Sequence, residues 1–326
     1  MQTLGSRWIC LSLLFALFSL LIKVAADEPH PGRKPKEDTE LKYWLLNLGR
    51  HQFSTAEAAA ALALPEPEIV AARQRLKIQP SDLPTTQPGE LLVLPYPGGR
   101  HPRIGFLDGA IDPQRETKAS VFLPWAEAGY VVVDIPEAIW SNLGLTYLAH
   151  THVPTIWTNQ KIALPPLEWE RGEKGLLFLN RTLPNGIVYA AKIQSIDNAV
   201  QMKLTLTNGT SEKLSNLRIQ NCVMLKGAPG FAAQTNDNKL FRTPFVAVHD
   251  KTGKRWVITA WERCTNAWGN APCPCLHSDP QFADLTPGET GNLTGWLWCF
   301  EGDDIEAELR RLDSLKPFAS KQPKTK

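Results

Sequence analysis

From about residue 91 to residue 300 the chain is a succession of short apolar or alternating segments cut by turn residues. No helical period of any length interrupts it. The segments fall at 91–94, 130–134, 176–178, 188–193, 200–206, 217–225, 245–248, 256–261 and 293–300. The stretch at 200–206 alternates as V-Q-M-K-L-T-L, the pattern of a strand with one face buried. Turn chemistry separates the segments: Pro184-Asn185-Gly186, Asn208-Gly209, Lys251-Thr252-Gly253-Lys254 and Pro287-Gly288-Glu289. Parallel sheets need helical crossovers, and none are signalled. The expected fold is therefore mainly β, a large antiparallel β-sandwich.

The flanks read differently. Leu41, Trp44, Leu45 and Leu48 recur at helical spacing. Ser54 and Glu57 form an S-x-x-E capping box before an alanine-rich run. Pro65 breaks that run, and Pro67 opens a third helix. Residues 39–78 thus form a small three-helix unit, which resembles helix-turn-helix domains of DNA-binding regulators. In that resemblance Arg73, Arg75 and Lys77 would meet phosphates. Residues 79–90 are a linker by composition, and Ile305, Leu309 and Leu312 predict a helix closing the sandwich at about residue 315. Residues 316–326 read as a disordered tail.

The start of the chain predicts export. Arg7 precedes the apolar run CLSLLFALFSLLI, and Val24-Ala25-Ala26 fits a cleavage site, so residues 1–26 read as a signal peptide. The run is shorter than the ~20 residues of a spanning helix, so no stable membrane span is expected after cleavage. Secretion or a periplasmic location follows. Residues 27–38 are a charged, proline-rich and flexible lead. Without Arg7 and Lys23 the 35 bases become 33, against 33 acids. A neutral chain has no electrostatic footprint for nucleic acid, so none is expected as a partner.

Two stretches carry a family resemblance. VQMKLTLTNGTS followed by LSNLRIQNCVML, and the later LHSDPQFADLTPGETGNLTGWLW, resemble the sheet core and closing strands of galactose-mutarotase-like β-sandwiches. With RIGFLDGAIDPQRETKASVFLPW, the chain is also similar to a family of uncharacterised exported bacterial proteins. The resemblance spans about residues 91–312. It implies a carbohydrate ligand on a concave sheet face, where enzymes of that group use a histidine acid and a glutamate base. The resemblance carries no catalytic role onto particular residues of this chain, so the candidates come from its own residues.

Four clusters could carry chemistry. On a strand, His150 and His152 point to one face and could share a metal ion. Their G-x5-H-x-H spacing resembles the first cupin motif but lacks its following glutamate; Glu262, His277 or Glu116 would supply a third ligand. The bland alternative is one structural and one groove-lining histidine. Arg115, Glu116 and Lys118 could hold an anion and a general base, or form surface ion pairs. Asn221 and the loop around Asn236 offer amides suited to sugar hydroxyls, or simply a turn. Trp261 and Glu262 end an apolar strand, and Trp268, His277 and Asp279 follow. Ser278 between His277 and Asp279 does not make a triad, because sequence neighbours point apart.

Eleven tryptophans, one of them in the signal, are the compositional outlier. Two or three are expected in a groove, where indoles stack on sugars. The five cysteines after Cys10 are Cys222, Cys264, Cys273, Cys275 and Cys299. A local disulfide from Cys264 to Cys273 or Cys275, or buried thiols, is expected; metal held by Cys273-Pro274-Cys275 is the alternative.

The expected function is carbohydrate binding or processing in the concave face. His150, His152, Glu262 and His277 are the acid–base candidates. Arg115, Glu116, Lys118, Asn221, Asn236 and Trp261 would hold the sugar, and no cofactor is required. One alternative is a cupin-like metalloenzyme carrying one divalent transition metal on His150 and His152. The other is a non-catalytic module that docks another cell-envelope protein.

Overall fold

The computed structural model describes residues 32–86, 90–102, 115–125, 129–149 and 153–318. The signal segment, His150, His152 and most of the expected tail lie outside the described residues.

The chain opens with α1 (Asp38–Arg50), α2 (Thr55–Leu62) and α3 (Glu66–Arg75). It continues through β1 (Val93–Pro95), β2 (Lys118–Phe122), β3 (Tyr130–Ser141) and β4 (Gly144–Leu148). A single helical turn, α4 (Ile156–Asn159), precedes β5 (Glu170–Arg171), β6 (Leu177–Thr182), β7 (Val188–Ile196) and β8 (Ala199–Thr207). Then come β9 (Arg218–Met224), β10 (Lys239–Arg242), β11 (Phe245–His249) and β12 (Arg255–Trp261). The chain ends in β13 (Cys264–Asn270), β14 (Cys275–Pro280), β15 (Thr290–Glu301) and α5 (Ile305–Ser314).

The strands form two antiparallel sheets, as the turn-punctuated pattern predicts. One has the order β1-β2-β3-β9-β14-β13, with β4 on the free part of β3. The other has the order β10-β11-β12-β15-β8-β7-β6-β5. Side chains alternate across each strand. Val131, Val133, Ile219, Val223 and Leu276 of the first sheet face Tyr189, Ile193, Met202, Leu204 and Leu297 of the second, and this is the main core. Trp261 lies in it, its indole packed on Gly295, where a Cβ would overlap the ring.

Each outer face is covered in part as well. On the eight-stranded sheet, α5 seats Leu309 and Leu312 on Phe245, Trp256 and Ile258. Asp304 caps that helix by accepting from the Ala307 N–H at 2.8 Å. On the seven-stranded sheet, the helical unit lays Trp44, Leu45, Leu48, Leu62 and Ile69 over Leu94, Phe122, Tyr130, Val132 and Met224. The Ser54–Glu57 capping box is formed. Arg73 donates to Thr55 and Arg75 pairs with Asp38, so both arginines of the helix-turn-helix resemblance have partners within the unit. The lead is anchored rather than loose at Arg33. Its backbone N–H donates to Ala61 at 3.0 Å, its guanidinium pairs with Glu168 at 3.0 Å, and it stacks over Trp44.

His51 joins the helical unit to the sheet. Nδ1 lies 2.8 Å from the Asn47 carbonyl, which can only accept, so Nδ1 carries the proton. Nε2, 2.7 Å from Ser120 Oγ on β2, therefore accepts. Phe53, Tyr96, Phe122 and Tyr130 meet the ring edge-on or tilted. Burial lowers its pKa from 6.5 to about 3. Between those values the unfolded chain binds a proton that the folded chain refuses, so stability rises with pH. Urea unfolding at stepped pH should show the protein losing stability from pH 6.5 down towards 4 more steeply than a His51→Gln variant. The excess should be on the order of a few kcal/mol. Parallel pH curves for the two proteins would contradict the assignment.

Candidate functional site

The helical unit covers only part of the outer face of the seven-stranded sheet. Beyond it the same face turns polar. Trp140 pairs with Arg218 across β3 and β9, and Ala138 pairs with Gln220. Between Asp134 and Ala138 the β3 register shifts against β9. Pro136 falls in this bulge, where a missing N–H breaks no ladder bond. Bulges re-aim side chains, and this one delivers Glu137 to the outer face, where its Oε2 accepts from Gln220 Nε2 at 2.8 Å.

His277 of β14 is the centre of the cluster. Its ring stacks on Trp268, its ladder partner on β13, with centroids 3.9 Å apart and 9° between planes. Nδ1 lies 3.9 Å from Glu137 Oε2 and 3.8 Å from Asp279 Oδ1, contacts of charge rather than hydrogen bonds. Nε2 lies 3.2 Å from Cys275 Sγ. Asp279 fixes the other parts: it accepts from the Trp268 indole N–H at 2.6 Å and from the Asn221 backbone N–H at 3.1 Å. Burial works to lower the His277 pKa, but Asp279 and Cys275 more than offset it and lift it to about 9. The Cys222 thiol beside Cys275 raises the Cys275 pKa, while Cys273 acts the other way.

Exposure divides the cluster. His277 and Glu137 are buried at 2% and 1%, beneath the surface. Trp268 and Gln220 are half-buried and Arg218 is exposed, so these form its solvent side. Asn236 does not join them: its Nδ2 donates to the Gly269 carbonyl on β13 at 3.1 Å, but its Oδ1 lies where a Gly269 Cβ would point, on the face of β13 opposite Trp268.

The remaining candidates lie elsewhere or have internal partners. Arg115 is buried against Glu168. Glu116 accepts from Tyr147 at 3.1 Å and faces Arg181 at 3.5 Å. Lys118 is fully buried with Asp134 at 3.1 Å. These are internal ion pairs, not the surface pairs that a polar run suggests. Asn221 is buried, and its side chain lines a narrow gap between the sheets with Met202, Thr259 and Trp261. Glu262 directly follows β12 of the other sheet, and its Oε2 accepts from the Thr294 N–H at 3.2 Å. The structure does not join it to His277 through any hydrogen bond or ion pair. Ser278 points away from His277, donating to Pro244 at 2.8 Å and accepting from the Trp261 N–H. Among the described residues Trp125, Trp140, Trp268 and Trp296 are the half-buried tryptophans, and of these Trp140 and Trp268 belong to the polar face.

The expected Cys264 disulfide is not formed. In the β13–β14 ladder Cys264 stands opposite Pro280, while Cys275 stands opposite Asn270 at the other end. That separation exceeds the ~7 Å reach between Cα atoms of a disulfide. No disulfide is formed among the five cysteines of the described residues.

No family model matches the chain, and no curated protein matches it. Solved structures with similar topology include a polysaccharide lyase, with 12% identity over 68% of this chain and 34% of that chain, at a TM-score of 0.34. A candidate mutarotase from Salmonella typhimurium has 10% identity over 57% of this chain and 94% of that one, at a TM-score of 0.29. A candidate aldose 1-epimerase from Klebsiella pneumoniae has 8% identity over 66% and 64%, also at 0.29. The chain spans about a third of the lyase's length. At this level the likenesses assign no activity.

Asp279 is the test of this geometry. Asp279→Ala strands the buried Asn221 N–H and frees the Trp268 indole, and should lower unfolding stability by about 1–3 kcal/mol in urea titrations. An unchanged midpoint would show that the two bonds do not hold the site.

Proposed function

We propose that the protein is an exported carbohydrate-binding β-sandwich that meets its ligand at the polar end of the outer face of the seven-stranded sheet. The observation that carries this reading is the Trp268–His277 stack. One face of the indole lies on a buried imidazole and its N–H is held by Asp279. Its exposed part is thus a rigid aromatic surface, which is what a sugar ring packs against through its C–H groups.

Polar groups suited to hydroxyls share this face of the sheet: Gln220 and Arg218 project from β9, two strands from β13. Amides both donate and accept, and a guanidinium donates, so hydroxyls of either polarity are met. The burial of Glu137 and His277 assigns them the support of this surface rather than direct contact. Recognition is therefore favoured over turnover. The mutarotase resemblance in the sequence points to the same ligand class.

A glycan array probed with the purified chain tests this. Binding to at least one saccharide is expected, weakened about tenfold or more by Trp268→Ala. Trp296→Ala, on the other sheet, should leave it unchanged. A broad panel with no binder would overturn the reading, and equal losses in both variants would misplace the site.

A further inference from the structure

We infer that Cys222, Cys273, Cys275 and His277 bind a zinc ion beneath the Trp268 surface. The inference does not rest on the carbohydrate reading; metal content tests one and glycan binding the other.

The donors come together because of strand register. Cys275 and His277 are two apart on β14 and share a face. Cys275 pairs with Met224 and Leu276 with Val223, and continuing that ladder sets His277 opposite Cys222 on β9. The Sγ atoms of Cys222 and Cys275 and a ring nitrogen of His277 all lie within 4.8 Å of one another. All three residues are buried. With Zn–S of about 2.3 Å and Zn–N of about 2.0–2.1 Å, tetrahedral geometry separates ligand atoms by roughly 3.5–3.8 Å. The Cys275–His277 contact of 3.2 Å and the 4.8 Å limit bracket that spacing. Shifts of up to about 1 Å would bring these three donors to that spacing.

The fourth donor follows from the loop before β14. Cys273 lies outside that group of three, but it is half-buried, packs on the same cluster and interacts with the Cys275 thiol, so a movement of the 271–274 loop would bring its Sγ to the ion. Three thiolates and an imidazole form a soft donor set suited to zinc. Four protein ligands leave no open position, which makes the site structural.

The other side of His277 agrees. With Nε2 directed at Cys275, Nδ1 faces Glu137 and Asp279 and makes no hydrogen bond. Metal-bound imidazoles characteristically donate their second N–H to a carboxylate, which fixes the tautomer and ring plane. Two carboxylates face this nitrogen, at 3.9 and 3.8 Å. The ion would tie β9, β14 and the 271–274 loop into one unit and lock the ring on which Trp268 stacks.

The test is elemental analysis of the full chain, purified without a histidine tag. About one zinc per chain is expected, kept in Cys299→Ser and lost in Cys275→Ser. If Cys275→Ser does not fold, the unaltered protein still decides. Cobalt replacement should give thiolate charge-transfer absorption, and a chelator should raise the number of reactive thiols by about three. Absence of metal after zinc reconstitution would overturn the inference. So would a disulfide among Cys222, Cys273 and Cys275 in peptide mass mapping, or copper in place of zinc.

Discussion

Strand β3, at the centre of the seven-stranded sheet, is buried on both faces, and the rest of the architecture answers to that constraint. Of the twelve residues of β3, eleven are buried and the other is half-buried. One face is satisfied by the eight-stranded sheet in the ordinary manner of a sandwich. The other would expose Leu94, Phe122, Tyr130, Val132 and Met224 to water, and the helical unit exists in this structure as their cover. Burying a side chain of that size contributes roughly 1.5–3 kcal/mol. The five together outweigh any polar contact across the junction. His51, Asn47 and the Arg100–Glu57 pair fix the orientation of the cover rather than its strength.

Where the cover ends, the face must change chemistry. It does so along β9 and β14, where Met224 and Cys222 give way to Gln220 and Arg218, and Cys275 to His277 and Asp279. The thiols sit at this boundary. They belong to the apolar cluster under the helices and touch the polar cluster through His277. A zinc ion there would join the two halves of the face, and Trp268 would present the result to solvent.

Much of this was legible in the sequence. Ser54-x-x-Glu57, Pro65 and Pro67 marked the helix boundaries because capping and proline chemistry are local. The spacing of Leu309 and Leu312 gave α5, and the V-Q-M-K-L-T-L alternation gave β8. His277, Asp279 and Trp268 could be named as neighbours because a hairpin brings them together. Glu137 was missed, although Pro136 inside a strong strand pattern is the signal of the bulge that aims it. Glu262 was set with His277 by sequence proximity, but β12 and β14 belong to different sheets. Cys222 met Cys275 only through a long-range pairing that no spacing rule encodes. The polar run at Arg115, Glu116 and Lys118 looked solvated because burial of an ion pair depends on what packs over it.

The central claim is that the surface around Trp268 is the working face. It is tested most directly by following the indole N–H resonances of the tryptophans while a saccharide mixture is titrated in. The account predicts that the Trp268 signal moves, with that of Trp261, in the main core, unchanged. Movement confined to Trp125 or Trp296, with Trp268 still, would contradict it.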